Sequence, residues 1–383
     1  MYNVSVIGGA GHIGLPFSCY MQNMGHNVTI IDTNSSALSQ IRKGSAPFFE
    51  DGLDVALAKA LKNGLNLEST SDNLKQSDYI VLTIGTSSNN RDKKLFRKIV
   101  DDLILKSKAG SNLILRSTID NESFNYLKKN VNLNDKEIKV AYCPERIAEG
   151  YALEEIRSLP QIIGVESELD YEIFSEFFKK LNIMTIKTSI NNAIYIKLFS
   201  NAYRYASFNL INEFSNIAVH NGLDFDEIYN IAKLDYPRLD NAPHVGLVGG
   251  PCLPKDFQTF QKNYKIENKV LDKLLVTEEY FLENIVKQCK DFFNSNKIIQ
   301  LGATFKPESD DIRTSTSLVI YNKLQKEGFE VYLVDPHVTV GSKIKLFNYE
   351  DIFNITENVI ITTNHKIFLN YDLENKKVIR IGN

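Results

Sequence analysis

The chain has 383 residues, a length that allows two or three domains with ample core volume. Its formal net charge of −3 gives no electrostatic reason to expect nucleic-acid binding. No apolar run approaches the length of a membrane span, and the first residues lack the charged leader and cleavage site of a signal peptide.

The cysteines and histidines are scattered along the chain. The four cysteines, Cys19, Cys143, Cys252 and Cys289, include no pair at CxxC spacing. They therefore predict neither a disulfide framework nor a zinc site, and a reducing environment suits them best. The six histidines show no metal-binding spacing either. We expect a cytoplasmic protein without a bound metal.

The first half of the chain alternates short β-rich runs with helical segments, as a parallel, doubly wound sheet does. The strands predicted there are 4–8, 27–32, 79–85, 112–117, 138–142, 161–165 and 184–187. A first helix is predicted over 12–24, directly after the first strand.

The middle of the chain is predicted to be helical. From Ala193 to Ile217, apolar residues recur at spacings near three and four without an internal Gly or Pro, which predicts one long helix closed by Gly222. A helix of about 30 residues is about 45 Å long, so we expect it to join two domains. Further helical segments follow to about residue 293.

The βα alternation then returns. Strands are predicted at 297–302, 330–334, 358–362 and 377–381, with a helix over 315–327. We therefore predict an α/β protein with two Rossmann-like doubly wound domains, joined by a long central helix and a helical middle domain. The expected domain boundaries are 1–188, 189–293 and 294–383.

A dinucleotide-binding motif follows the first predicted strand. Gly9-Ala10-Gly11-His12-Ile13-Gly14 has the G-x-G-x-x-G pattern, in which the glycines allow a tight turn, close approach of pyrophosphate and close helix–strand packing. Asp32 ends the second strand, where a carboxylate contacts the ribose 2′-hydroxyl and favours NAD over NADP. Alternatively, the motif is a glycine-rich turn of another α/β protein and Asp32 is a helix cap.

A cysteine lies in a turn rich in glycine and proline, Gly249-Gly250-Pro251-Cys252-Leu253-Pro254-Lys255-Asp256. Such a turn can present a thiolate nucleophile beside a cation and a carboxylate that tune it. The octapeptide alone leaves open whether Cys252 is a nucleophile or an ordinary loop cysteine.

With these and further motifs, the chain resembles the nucleotide-sugar 6-dehydrogenases, the family of UDP-glucose, UDP-N-acetylmannosamine and GDP-mannose dehydrogenases. The matching segments are the glycine motif with Pro16, 44–53, Ser117-Thr118, 144–150, 197–204, Asn212-Glu213, 249–256, 305–307, 310–313, Asp335-Pro336 and Asn364-His365. They occur in order through nearly the whole chain, so the set of segments indicates the family far more specifically than any single segment does.

The resemblance implies oxidation of a sugar C6 hydroxyl to a carboxylate with two NAD molecules in turn, without release of an aldehyde. Cys252 then matches the nucleophile that forms a thiohemiacetal and next a thioester. Lys197 and Asn201, four residues apart on one helix, would stabilise the C6 oxyanion. Asp256 would order a water or accept a proton, unless it only caps a helix.

The resemblance also implies the remaining site residues. Thr118 and Glu145, expected just beyond strands four and five of the first sheet, match residues that hold the catalytic water and the substrate. Implied cofactor-binding residues are Gly9, Gly11, His12, Ile13, Gly14, Asp32, Thr86, Thr118 and Arg313. Implied substrate-binding residues are Glu145, Lys197, Asn201, Arg238, Gly250 and Lys306. For Lys197, Thr118, Glu145 and Arg238 an ordinary helix, strand-end, loop or surface role is the alternative.

Three features depart from the family pattern. Prolines are missing around Thr86 and Ser87, and a carboxylate occurs at Asp120. We also expect that the usual Arg-containing tail does not follow Arg380. Asp120 could alter cofactor affinity.

The substrate and two other functional classes stay open. Tyr236-Pro237-Arg238 resembles the UDP-N-acetylmannosamine branch, whereas Cys252-Leu253-Pro254-Lys255-Asp256 resembles the UDP-glucose and GDP-mannose branches. We favour a UDP-N-acetylhexosamine. The more distant alternatives are a single-step hydroxyacid-type dehydrogenase and a non-catalytic NAD-binding protein. The family also implies a homodimer, for which the long helix offers a two-fold surface, and a supply of nucleotide-linked uronic acid for surface polysaccharide.

Overall fold

The computed structural model describes residues 1–85, 90–264, 270–338 and 344–382. The chain divides into two compact units, Met1–Phe199 and Ser200–Asn383. A long helix begins in the first unit and continues into the second.

The first unit is built on an eight-stranded sheet in the order β3-β2-β1-β4-β5-β6-β7-β8. Its strands are β1 Asn3–Ile7, β2 Asn27–Ile31, β3 Asn66–Glu68, β4 Tyr79–Leu82, β5 Asn112–Leu115, β6 Lys139–Tyr142, β7 Gln161–Gly164 and β8 Thr185–Thr188. Its helices are α1 Gly14–Asn23, α2 Ser35–Arg42, α3 Leu53–Lys62, α4 Asn90–Lys106, α5 Asn121–Asn132, α6 Ala152–Ser158 and α7 Glu168–Lys179. The first six strands follow the Rossmann order 3-2-1-4-5-6.

The central strands of this sheet are buried on both faces. Every residue of β4 is buried, as are Val4 to Ile7 of β1, which explains why these strands read as continuous apolar runs. Helix α1 packs against β1 and β2, and the core joins its Leu15 and Phe17 to Val6 and Ile30.

Two details of this sheet differ from the prediction. The three-residue edge strand β3 was not predicted, since Asn66-Leu67-Glu68 offers one apolar side chain and no alternation to recognise. The pairing of β6 with β7, at Tyr142 and Gly164, is antiparallel, while β7 and β8 are parallel to each other. Because β3 adds one strand before them, Thr118 and Glu145 follow the fifth and sixth strands, β5 and β6, and not the fourth and fifth.

The predicted long helix is α8, Ile190–His220, with 31 residues. It ends just before Gly222, whose φ of 69° is the left-handed conformation that stops a helix.

The second unit contains a four-stranded parallel sheet in the order β10-β9-β11-β12. Its strands are β9 Lys297–Leu301, β10 Glu330–Val334, β11 Asn358–Ile361 and β12 Lys377–Arg380. Its helices after α8 are α9 Phe225–Lys233, α10 Leu253–Asn263, α11 Leu274–Phe292, α12 Thr316–Lys326 and α13 Tyr349–Ile352. The predicted strands and the predicted helix over 315–327 are all present, which confirms the α/β class and the second parallel sheet.

Candidate active site

The glycine motif forms the turn between β1 and α1. A Cβ on Gly14 would lie 2.6 Å from Gly9 Cα, and one on Gly9 would lie 2.8 Å from the Val6 carbonyl oxygen, so the fold itself excludes side chains there. A Cβ on Gly11 would meet only the Gly8 carbonyl oxygen, at 3.5 Å, an ordinary contact. The protein leaves room at Gly11, which is what close approach of a pyrophosphate requires.

Asp32 is tied to this turn from the end of β2. Its Oδ2 accepts a hydrogen bond from the Ala10 backbone N–H at 3.1 Å, and its Oδ1 accepts one from the Asn34 N–H at 2.9 Å. Asn34, not Asp32, caps helix α2. The carboxylate is thereby fixed beside the glycine motif.

Two further predicted cofactor residues lie in the same turn. The His12 ring stacks on Phe48 with 4.0 Å between ring centroids, and Ile13 occupies the N-cap position of α1. Thr86 and Ser87 lie outside the described residues.

Thr118 lies three residues beyond the end of β5 and is partly buried. Close by, Asp120 caps helix α5: its Oδ1 accepts the Ser123 N–H at 2.8 Å, and its Oδ2 lies 3.0 Å from Lys93 Nζ. This departure from the family pattern therefore has a local structural role in starting a helix.

Glu145 is buried, with 7% of its surface exposed, and contacts an arginine that the sequence analysis did not single out. Its Oε2 accepts a hydrogen bond from the Arg116 guanidinium, and its Oε1 accepts the backbone N–H groups of Arg146 and Ile147 at 2.8 and 2.9 Å. Arg116 precedes Ser117-Thr118 directly, but a lone basic residue at a strand end gives no sequence signal for such a pair.

In the second unit, Cys252 occupies the N-cap position of α10 and is exposed. A helix N-terminus favours the thiolate form of a cysteine. Two residues earlier, Gly250 has a φ of 90°, and a Cβ there would lie 2.6 Å from the Phe305 ring. Only glycine fits at this point of the turn that carries the thiol.

The other three cysteines are buried in apolar surroundings. Burial raises the pKa of Cys19, Cys143 and Cys289 to about 12 in each case. These thiols stay protonated at neutral pH and are unsuited to nucleophilic chemistry.

Asp256 lies one turn into α10 and has 1% of its surface exposed. Its Oδ2 accepts a hydrogen bond from Asn201 Nδ2 at 2.6 Å, which joins α10 to α8. An amide nitrogen has two N–H donors, and this contact uses one of them. Lys197, one turn earlier on α8, is partly buried.

The predicted binding cations of this unit, Arg313 for the cofactor and Lys306 and Arg238 for the substrate, have different surroundings. Arg313 is held by Asp311, with Nε 2.9 Å from each carboxylate oxygen, although its side chain is 55% exposed. Lys306 lies 5.9 Å from the centroid of the Phe305 ring. Arg238 is exposed, above the Tyr236 ring.

Two histidines far apart in sequence meet Glu308 at the carboxyl edge of the second sheet. Glu308 Oε1 lies 3.8 Å from His365 Nδ1 and 4.0 Å from His337 Nε2. Two of these atoms already accept backbone hydrogen bonds, His365 Nδ1 from the Glu308 N–H at 3.1 Å and Glu308 Oε1 from the Lys366 N–H at 2.7 Å. These hydrogen bonds join the loop that carries Glu308 to the loop that carries His365.

Comparison with known proteins places these features in a family. Three domain models of the UDP-glucose/GDP-mannose dehydrogenase family match in chain order: the NAD binding domain over residues 2–182, the central domain over 191–278 and the UDP binding domain over 300–380. The chain belongs to the UDP-glucose/GDP-mannose dehydrogenase family. It is accordingly an NAD-dependent oxidoreductase of the nucleotide-sugar dehydrogenase class, with NAD as its cofactor.

Curated relatives of this family resemble the chain over most of their length. A putative UDP-glucose 6-dehydrogenase of Bacillus subtilis is 26% identical over 95% of this chain and 90% of its own. A UDP-N-acetyl-D-mannosamine dehydrogenase of Methanococcus maripaludis is 26% identical over 94% of this chain and 86% of its own.

Solved structures share the fold. A UDP-glucose dehydrogenase from Pyrobaculum islandicum aligns with a TM-score of 0.88 at 23% identity, over 100% of this chain and 94% of that chain. A UDP-D-ManNAc dehydrogenase from Pyrococcus horikoshii aligns with a TM-score of 0.87 at 24% identity, over 100% and 95%. Among the residues that the structure describes, none of the helices is both long and apolar enough to cross a membrane.

Proposed function

We propose that this dehydrogenase oxidises the C6 hydroxyl of a nucleotide sugar to a carboxylate in two NAD-dependent steps, with Cys252 as the covalent nucleophile. The observation that carries this proposal is the contrast among the cysteines. Cys252 is exposed at a helix N-terminus, whereas the other three thiols are buried and have pKa values raised to about 12. A single-step dehydrogenase has no use for such a thiol.

The proposed reaction consists of two oxidations and one hydrolysis. Bound NAD supplies the hydride acceptor for each of the two oxidations. The C6 alcohol loses a hydride and a proton to give an aldehyde, and the Cys252 sulfur adds to its carbonyl carbon to form a thiohemiacetal. Loss of a second hydride and proton gives a thioester. Water then attacks the thioester carbonyl, the C–S bond breaks, and the carboxylate and the free thiol are released.

Asn201, Lys197 and Asp256 assist at this centre in our proposal. Asn201 is held through one N–H by Asp256, at 2.6 Å, so that its second N–H donates to the C6 oxyanion. Lys197, one turn earlier on α8, adds an ammonium group to the same oxyanion. Asp256, almost fully buried, keeps the amide oriented and receives a proton through water.

We propose that the second unit binds the nucleotide part of the substrate. Lys306 and Arg313 lie within the match to the UDP binding domain, 300–380. Their ammonium and guanidinium groups suit a diphosphate or the cofactor. We further propose that Gly250 lets the sugar approach the backbone, and that exposed Arg238 reaches substrate in its own or a neighbouring subunit. This division corresponds to the expected domains 1–188 for NAD, 189–293 for the cysteine turn and 294–383 for the nucleotide.

A UDP-N-acetylhexosamine is the substrate we favour, on the strength of Tyr236-Pro237-Arg238 and of relatives named UDP-N-acetyl-D-mannosamine dehydrogenase. UDP-glucose and GDP-mannose are the alternatives, and relatives named UDP-glucose 6-dehydrogenase are equally similar.

The test is a panel of UDP and GDP sugars with the purified protein, followed at the NADH absorbance. Cys252→Ser should give at most slow or incomplete turnover. The matched control is Cys289→Ala, at a buried cysteine of α11 in the core of the same unit, which should keep the wild-type rate. Full turnover by Cys252→Ser would refute the covalent role, and NAD binding without turnover on any sugar would favour a non-catalytic protein.

We propose a cytoplasmic homodimer. Free cysteines suit a reducing compartment. An apolar stripe on α8 is exposed, comprising Tyr203, Leu210, Phe214 and Ile217, and exposed apolar patches mark association surfaces. Light scattering should give twice the chain mass, and Leu210→Asp should lower it. A monomeric wild-type protein, or its recovery outside the cytoplasmic fraction, would contradict this part.

A further inference from the structure

We infer that Arg116 is a positioning residue for this enzyme: it clamps Glu145 as an ionised carboxylate in one fixed orientation. The inference rests on the proposed function in one respect, that Glu145 faces the substrate or the hydrolytic water. Everything else in it comes from contacts within the first unit.

The clamp holds both oxygens of Glu145. The backbone N–H groups of Arg146 and Ile147 donate to Oε1, while the Arg116 guanidinium donates to Oε2. Two oxygens held by three donors leave the carboxylate little rotational freedom. Of the three donors only Arg116 carries a formal charge on the group that contacts Glu145, so it supplies the counter-charge.

Arg116 is itself fixed. Its Nη1 donates to Gln161 Oε1 at 2.7 Å, and its guanidinium lies 4.3 Å from the centroid of the Phe17 ring. Gln161 in turn donates to the Pro144 carbonyl oxygen at 3.3 Å, directly before Glu145. The network therefore ties β5, β7 and the loop after β6 together around one carboxylate.

The guanidinium stays charged despite its burial. Burial lowers the pKa of Arg116 to about 10, which is still well above neutral. Its Nε has no hydrogen-bond partner among the described residues. Arg116, Glu145 and Gln161 are among the residues that line a cavity of about 20 Å³, and such a volume is enough for one water molecule.

The other ionisable groups nearby are engaged elsewhere. Arg146 donates through Nη2 to the Pro160 carbonyl oxygen at 2.6 Å, and Glu155 accepts the Ala148 N–H at 2.5 Å. Cys143 is buried with a raised pKa and stays neutral. Loss of Arg116 would therefore leave Glu145 buried without a counter-charge, a condition under which a carboxyl group takes up a proton.

The experiment compares the pH dependence of kcat in Arg116→Met and Arg116→Lys with the wild-type enzyme. Arg116→Met should lower kcat at neutral pH by at least about tenfold and change the KM of the sugar less. It should also move the acidic limb of the profile upward by roughly one to three pH units, because the opposite charge beside Glu145 is lost. Arg116→Lys should give an intermediate shift. The matched control is Arg157→Met, at an exposed arginine of α6, which should leave the profile unchanged.

A double-mutant cycle separates positioning from structural support. In a Glu145→Gln background, Arg116→Met should produce no further shift of the profile. A lower kcat with an unmoved profile, or an equal effect with and without Glu145, would overturn the inference. If Arg116→Met does not fold, Gln161→Leu, which removes the support of Arg116, should give a smaller shift in the same direction.

A direct titration of Glu145 keeps this inference distinct from the proposed function. Carboxyl carbon NMR of selectively labelled wild-type protein and Arg116→Met reports protonation of Glu145 without turnover. Protonation at higher pH in the variant supports the clamp even if no sugar is oxidised, and identical titration in both proteins refutes it even if the sugar is oxidised.

Discussion

The glycine at position 250 offers a quantitative test of how the cysteine turn is built. Its φ is 90°, and an added Cβ would lie 2.6 Å from the Phe305 ring. Alanine in a left-handed conformation costs about 1–2 kcal/mol, and forcing a methyl group into a filled space costs about 1–3 kcal/mol more. Gly250→Ala should therefore lower the free energy of unfolding by about 2–5 kcal/mol.

Urea unfolding followed by circular dichroism measures this loss of stability, and the rate of NADH production measures the accompanying loss of activity. Gly246→Ala is the control in the same segment, since an added Cβ there meets nothing within 4 Å. Adding Phe305→Leu to Gly250→Ala should recover the steric part and leave the backbone part of about 1–2 kcal/mol. A Gly250→Ala protein as stable as Gly246→Ala would refute the reasoning.

Three further predictions concern other parts of the molecule. Gly11→Ala should change the free energy of unfolding by no more than about 0.5 kcal/mol and raise the KM for NAD at least about tenfold. Gly14→Ala should lower the free energy of unfolding by about 2 kcal/mol or more, because its Cβ would meet backbone atoms. Equal losses of stability in the two variants, measured by urea unfolding, would contradict this. Iodoacetamide should label one thiol per native chain, at Cys252, as intact mass spectrometry would show, and rapid labelling of a buried cysteine would disprove the assignment. Although burial acts to raise it, hydrogen bonds from an imidazole and two backbone N–H groups hold the pKa of Asp335 below its ordinary value. Asp335 therefore adds stability at neutral pH that is lost as pH falls below about 4, so Asp335→Asn should be less stable at pH 7 with a flatter acid profile, unlike the exposed control Asp291→Asn.

The sequence predicts most of the fold because the pattern is strong where burial is strong. β4 and the inner part of β1 are buried on both faces, and their apolar runs are unmistakable. The edge strand β3 escapes prediction because its three residues pair with β2 alone and need no apolar pattern. The direction of β7 cannot be read from Gln161-Ile162-Ile163-Gly164, because a fully buried strand shows the same composition whether it runs parallel or antiparallel.

The candidate site divides in the same way. Residues in a local motif, such as Gly9 and Gly14, can be found from spacing because the turn and the helix start act on neighbours in sequence. The turn around Cys252 is also visible in the sequence, but the role of its thiol was implied only by the family resemblance. The pairing of Arg116 with Glu145 joins residues 29 positions apart, and it depends on β5 and β6 being adjacent in the sheet. Such contacts follow from the register of a folded sheet, which no local pattern contains.

The most direct test of the proposed double oxidation is the number of NADH molecules formed per sugar. With excess NAD and a limiting amount of the preferred nucleotide sugar, the end-point absorbance should correspond to two NADH for each sugar consumed, and mass spectrometry should show the uronic acid as the product. One NADH per sugar with an aldehyde or ketone product would contradict the two-step mechanism through Cys252.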